Sequence, residues 1–343
     1  MLGVSAGYVT LPAALPLECG QLFASPAVAF ETYGELRGDN GVLLLHGISR
    51  SHRAATKPGK AAYEPDGWWW DVVAPGGALD PSAFCVISAN LLGSPFGSSS
   101  PYSVDHLGRP MRAEFPTVSV TDCARAMASL IKSLGVKRLR AAVGVSLGGM
   151  VALRLAALFP EVVPASVAIA APLVLPESIR GQLGLTRQVL ASDASFRDGE
   201  YRNGEEVAGI LRRVRITSLR DLYPRDMLVN RHGSAFAAER ALEEEAEVFS
   251  RKFDANCYAA LCQCAASCDM TDLIEEFPGR VLLVGCSSDD FAPPSRVREA
   301  YHALTAVGAR ATYWELNSDA GHRAHYLEAA RLNAPLREFL RAR

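Results

Sequence analysis

Apolar residues fall along the chain in short runs separated by amphipathic stretches. Gly41–Leu45 (GVLLL) and Phe84–Ser88 (FCVIS) are short apolar runs, and Leu139–Val145 (LRAAVGV), Val167–Ala171 (VAIAA), Val281–Cys286 (VLLVGC) and Thr312–Leu316 (TYWEL) read as further strands. Such runs mark strands buried on both faces. Ala27–Tyr33 (AVAFETY) alternates instead, as an outer antiparallel strand does. Helical spacing covers Thr121–Leu134 with Thr121 as its cap, Ser146–Phe159 closed by Pro160, Arg296–Val307, and a last helix over Tyr326–Arg341. Strands alternating with helices predict a doubly wound, mostly parallel α/β sheet. From residue 172 to 272 the rhythm breaks into helical, polar, Arg/Glu-rich sequence with no buried-strand run. The expected organisation is a core of residues 1–171 and 273–343 with residues 172–272 inserted as a helical lid.

Composition narrows the function. The chain has 343 residues, 49% of them hydrophobic, enough for a sizeable core. A formal net charge of −2 and scattered basic residues exclude nucleic acid and anionic membrane surfaces as partners. Residues 1–16 have no basic region and are interrupted by Pro12 and Pro16, unlike a signal peptide. No run approaches the roughly 18 apolar residues of a membrane span. A soluble cytoplasmic protein acting on a small molecule is expected. The eight cysteines then read as free thiols. Cys257, Cys262, Cys264 and Cys268 are close in sequence, but no CxxC pair occurs and the intervening residues favour helix. On that helix Cys257, Cys264 and Cys268 share a face and Cys262 does not, so small buried residues fit better than a metal site.

The chemistry centres on Gly144-Val145-Ser146-Leu147-Gly148, a G-x-S-x-G that follows an apolar run and opens a helical one. A nucleophilic serine must sit on a sharp turn with its Oγ above the sheet. Residues two positions away on either side must lack side chains for the strand and helix to pack. This context predicts an α/β-hydrolase fold with Ser146 as nucleophile. The fold supplies the partners in the order acid, then histidine. Asp289, just past VLLVGC, is the candidate acid, with Asp290 as rival. His322 in Ala320-Gly321-His322 is the candidate base, with His325 as rival. His46, His52, His106, His232 and His302 are poorer placed, lying before the nucleophile, in the lid or inside a helix. Two backbone donors are needed for the oxyanion. Leu147 follows the nucleophile, and Ile48 follows His46-Gly47 at the end of the first core strand.

With these residues assembled, the chain resembles the homoserine O-acetyltransferase family almost end to end. The resemblance rests on Leu17-Glu18-Cys19-Gly20, Glu31-Thr32-Tyr33-Gly34-Glu35-Leu36, Gly67-Trp68-Trp69-Trp70-Asp71, Asn90-Leu91-Leu92-Gly93-Ser94, Gly108-Arg109-Pro110 and Phe115-Pro116-Thr117-Val118. Further matches are Gly148-Gly149-Met150, Arg187-Gln188, Asp198-Gly199-Glu200-Tyr201 and Phe253-Asp254-Ala255-Asn256. The resemblance implies a Ser146–Asp289–His322 triad, with Ser288-Asp289 and Pro293-Pro294 favouring Asp289 over Asp290. It implies acetyl-CoA or another acyl-CoA as co-substrate, with no bound cofactor, and a ping-pong reaction. It also implies that Arg187 engages the acceptor carboxylate and that the lid builds a homodimer. The chain departs from the family's pattern at His46-Gly47-Ile48-Ser49-Arg50, where H-A-L-T-G is usual, and at Val145, where a glycine is usual. The family's aspartate for the homoserine ammonium falls on Arg323, a guanidinium that repels an ammonium and attracts an anion. An acceptor other than homoserine is therefore expected. A hydrolase using the same triad is the alternative reading.

Overall fold

The computed structural model describes residues 4–342 apart from 57, 58, 60, 62 and 105–107. Among the described residues, eight strands form one sheet: β1 (Val4–Thr10), β2 (Ala27–Tyr33), β3 (Gly41–Leu45), β4 (Cys85–Ala89), β5 (Ala141–Val145), β6 (Ala165–Ile169), β7 (Arg280–Cys286) and β8 (Arg310–Leu316). Their spatial order is β1-β2-β4-β3-β5-β6-β7-β8. β1 and β2 pair antiparallel, as do β2 and β4. Every later pair is parallel, with Leu43 opposite Ile87, Leu44 opposite Val143 and Ala168 opposite Leu283. β3 to β6 are buried at every position, which is why their sequences are continuous apolar runs rather than alternations.

Helices α1 (Val120–Ser133), α2 (Leu147–Leu158) and, after β7, Pro294–Ala306 make the crossovers of a doubly wound sheet. The cap of α1 is Ser119, not Thr121. Its Oγ accepts from the Asp122 N–H at 3.1 Å and the Asp122 carboxylate accepts from the Ser119 N–H at 3.0 Å, a reciprocal pair that a Thr121 cap could not form. β1 was not legible as a strand. Most of its residues are exposed, Tyr8 at 73%, so no apolar face marks it, and it displaces β2 from the sheet edge.

The expected last helix is instead broken into Ala324–Leu327, a 3₁₀ turn over Ala329–Leu332, and Asn333–Arg341. Pro335 explains the break: it has no N–H to give to residue 331 and would clash in a helix interior, but it is tolerated in the first turn of a helix starting at Asn333.

Between β6 and β7 the chain runs through α3 (Glu177–Gly184), α4 (Thr186–Ala191), α5 (Gly204–Leu222), α6 (Arg225–His232), α7 (Ala235–Lys252) and α8 (Ala255–Ala266). The Asn203 side chain caps α5, Ser234 caps α7 and Asp254 caps α8. Cys257, Cys262 and Cys264 lie on α8 and Cys268 just beyond it. All four are buried, Cys262 included, because α8 is enclosed nearly all round. The described residues contain no group of three or more His, Cys, Asp or Glu placed to hold a metal, and no helix long and apolar enough to cross a membrane.

Candidate active site

Ser146 stands between β5 and α2 with φ 51° and ψ −123°, a backbone conformation that a non-glycine residue adopts only under constraint. The constraint is visible on both sides. A Cβ on Gly144 would lie 2.0 Å from the Gly148 carbonyl oxygen, and one on Gly148 would lie 2.3 Å from that of Leu45. The two glycines of the motif are therefore steric requirements of the turn. The Ser146 Oγ lies 2.9 Å from Nε2 of His322. His322 Nδ1 lies 2.7 Å from Oδ2 of Asp289, whose other oxygen accepts from the N–H groups of Phe291 (2.9 Å) and Ala292 (2.8 Å). Asp289 and His322 are buried, while Asp290 is exposed. Three residues 33 to 176 positions apart thus form one hydrogen-bonded line.

His325, the rival base, is buried beside His322 with ring centroids 5.2 Å apart. Neither of its ring nitrogens has a hydrogen-bond partner, and burial drives its pKa well below the ordinary value, so it stays neutral and packs. His232 and His302 are exposed, and His106 lies outside the described residues.

Ile48 lines the cavity in front of Ser146, and Leu147 is the first residue of α2, where a backbone N–H has no acceptor within the helix. Sequence reasoning missed what holds the Ile48 loop. His46 is fully buried; its Nδ1 lies 2.8 Å from the Gly47 carbonyl and its Nε2 accepts from the Leu91 N–H at 3.2 Å. Nε2 also lies 3.1 Å from Asn90 Oδ1, and burial lowers the His46 pKa to about 4, so the ring is neutral. The Gly47 carbonyl, which also accepts from the Arg50 N–H at 3.1 Å, is pinned on one side. In a trans peptide the following N–H, that of Ile48, points the opposite way.

The cavity measures about 60 Å³. The core side supplies Gly47, Ile48, Ser146, His322, Arg323 and Tyr326; the inserted helices supply Gln182, Thr186, Arg215, Ser218, Asp221 and Tyr258. Its cationic residues are Arg215 and Arg323, and Arg187 is not among its lining residues. On α4, residues 186 and 187 point about 100° apart. Thr186 is buried at the cavity and Arg187 is exposed. The Arg187 guanidinium donates to the Asp198 carbonyl at 2.9 Å and to Asn256 Oδ1 at 3.4 Å, and lies 5.7 Å from the Phe196 ring centroid.

Arg323 is buried and donates to Glu245 Oε1 at 2.8 Å, and Arg215 donates to the same oxygen at 3.1 Å. Burial would raise the Glu245 carboxyl, but the Arg323 and Arg215 charges outweigh it and hold it at about 2. Arg50 lies 4.5 Å from the Tyr326 ring centroid, and desolvation together with the charge of Arg323 lowers its pKa.

A sequence profile of the alpha/beta hydrolase family matches residues 42–334. The chain is 31% identical to a homoserine O-acetyltransferase of Carboxydothermus hydrogenoformans over 97% of this chain and 94% of that protein. It is 35% identical to a homoserine O-succinyltransferase of Bordetella petrii over 95% and 83%. It is 31% identical to a serine O-succinyltransferase of Litchfieldella anticariensis over 97% of both chains. Among solved structures it superposes on homoserine O-acetyltransferase from Bacillus anthracis with a TM-score of 0.89, at 22% identity, covering 100% of this chain and 99% of that one. It superposes on esterase E22 with a TM-score of 0.87, also at 22% identity, covering 98% and 100%. At such identities structural likeness speaks for the fold alone.

Proposed function

Because the chain belongs to the homoserine O-acyltransferases of the α/β-hydrolase family, and so is a serine-dependent acyltransferase, we propose that it moves a short acyl group from coenzyme A to the hydroxyl of a small acceptor through an acyl-Ser146 intermediate. The observation that carries this reading is the hydrogen-bonded line Asp289–His322–Ser146 at a strained turn, opening into a small cavity. His322 Nε2 takes the proton of Ser146 as Oγ attacks the thioester carbonyl, and returns it to the departing thiolate. The same nitrogen then takes the acceptor's hydroxyl proton, the acceptor oxygen attacks the acyl carbon, and the proton returns to Ser146 as the ester leaves. Asp289 fixes the His322 tautomer and stabilises the imidazolium. The N–H groups of Ile48 and Leu147 receive the oxyanion of each tetrahedral intermediate.

Residues 172–272 act as the lid. Their helices line half of the cavity and keep water from the acyl-enzyme. The same segment exposes Leu185, Val189 and Phe236, which supports a homodimer formed through it. The composition supports a cytoplasmic setting.

The test is rapid quench after mixing with acetyl-CoA or succinyl-CoA, followed by intact-mass spectrometry. The wild type should carry one acyl adduct and Ser146→Ala none, with turnover of that variant down by about 10⁶. An adduct on Ser146→Ala, or release of free acid at the same rate with and without acceptor, would refute transfer through Ser146.

A further inference from the structure

Arg50 is a buried cation with no carboxylate of its own. It is 7% exposed, its Nε has no acceptor, and its guanidinium makes no ion pair among the described residues. Glu245, the carboxylate whose charge reaches it, is already bonded to Arg323 and Arg215. The two phenols beside it, Tyr63 and Tyr326, are pushed up by burial and stay neutral. Arg50 also lines an outer cavity, but there Glu64 pairs with Lys252, Asp66 with Arg53 and Glu244 with Arg240. Burying a cation without its own counter-ion is costly, so the guanidinium at this position points to a task in the site rather than to stability.

The loop shows what that task is. Gly47 to Arg50 form a β-turn, with the Arg50 N–H donating to the Gly47 carbonyl at 3.1 Å and Ile48 and Ser49 as its central residues. The turn is fastened at two further points. The Ser49 carbonyl accepts from the Tyr63 hydroxyl at 2.5 Å, and the Arg50 guanidinium donates to the Glu64 carbonyl. Two consecutive residues of a separate segment thus supply both anchors. The guanidinium also lies 4.5 Å from the Tyr326 ring centroid and 5.8 Å from that of Tyr63. The anchoring segment is itself fixed: Tyr63 is buried and packs edge-on against Phe249 of α7 at 5.0 Å, and Glu64 is held by Lys252.

We propose that Arg50 and Tyr63 are positioning residues that hold the Ile48 N–H toward the oxyanion. The inference rests on the reading of Ile48 as an oxyanion donor and adds the parts that aim it. His46 fixes the turn at its first carbonyl, Tyr63 at its third and Arg50 at its end, so the Gly47–Ile48 peptide cannot rotate without breaking one of these contacts. Position 50 calls for a planar group, which lies against Tyr326 while donating to a carbonyl. A lysine would carry the charge without the plane. An oxyanion donor stabilises most when it is fixed before the reaction begins.

The test follows acylation of Ser146 by p-nitrophenyl acetate, which needs no acceptor. It is paired with inhibition by a short alkyl boronic acid, which forms a tetrahedral adduct on a serine and places an oxygen in the oxyanion position. Arg50→Ala should slow acylation about 10- to 100-fold and weaken the boronic acid by a like factor, with KM for the ester unchanged. Ethylguanidine, the part removed, should restore much of the rate, and propylammonium, a cation without the plane, should not. Tyr63→Phe keeps the ring and should show the same split between rate and KM with a smaller loss. A raised KM with the acylation rate unchanged, wild-type acylation in both variants, or equal rescue by propylammonium overturns the positioning role while leaving acyl transfer standing. A wild type that forms no Ser146 adduct overturns the acyl-enzyme reading itself.

Discussion

Replacing Glu245 by glutamine removes the shared counter-ion of Arg215 and Arg323 while keeping the shape of the side chain. The Glu245 carboxylate sits 2.8 Å from Arg323, 3.1 Å from Arg215 and 3.3 Å from the Tyr223 hydroxyl, and the two arginine side chains are 6% and 2% exposed. A carboxyl held at about 2 rather than at 4.5 is favoured as an anion by about 3 kcal/mol. Loss of one partner from a buried ionic group costs about 3–5 kcal/mol in general, because the remaining charge stays desolvated. Glu245→Gln should therefore lose about 3 kcal/mol at pH 7. The folded carboxyl is depressed, so its contribution is full above about pH 4.5 and is lost as pH falls toward 2. Urea unfolding followed by tryptophan fluorescence, repeated from pH 7 to 3, should give a lower midpoint for the variant at pH 7 and a gap that narrows in acid. Adding Arg323→Gln should recover part of the loss. A Glu245→Gln variant within about 0.5 kcal/mol of the wild type at pH 7 would refute the account of the cluster as a coupled ionic unit.

Three further outcomes are expected. Asp289→Asn should lower kcat by about 10⁴ without loss of fold, since the amide stabilises the wrong His322 tautomer; if Asp290→Asn does the damage instead, the acid is misassigned. Burial lowers His46 and His52 to about 4 each from 6.5, so each should cost about 3 kcal/mol of stability as pH falls from 6.5 through 4, with no penalty above that window; equal urea midpoints at pH 7 and 4.5 would contradict this. A Cβ on Gly47 would lie 2.6 Å from the Tyr326 hydroxyl and 3.4 Å from Ser146 Cβ, so Gly47→Ala should cut turnover about 10- to 100-fold. Tyr326→Phe in the same chain should restore part of it, and an additive double variant would remove the steric explanation.

Ser146 stands out in the sequence because the requirement is steric. Only glycine fits at 144 and 148, and only a strand and a helix can flank that turn. Asp289 and His322 were legible because parallel strands deliver their loops to one edge, so position after a buried run stands in for position in space. The buried cluster of Glu245, Arg215 and Arg323 was not legible in the same way. Glu245 sits in the run Glu243-Glu244-Glu245, and the helix phase that buries the last of these depends on how α7 packs. The resemblance points to Arg187, but α4 turns Thr186 toward the cavity and Arg187 outward. β1 carries no core-facing pattern, because an exposed edge strand is specified by its partner β2 rather than by burial.

The seat of His322 is shared with the inserted helices. Gly321, with φ 60°, precedes His322, and a Cβ there would lie 2.5 Å from Pro224 Cδ and 2.7 Å from the Leu222 carbonyl oxygen. The turn between α5 and α6 therefore rests directly on the backbone that aims the imidazole. Inserted helices and imidazole are interlocked parts: a displacement of this turn would also shift the backbone that registers His322 against Ser146. The register of His322 against Ser146 is thereby tied to a contact at which no side chain larger than a hydrogen atom fits.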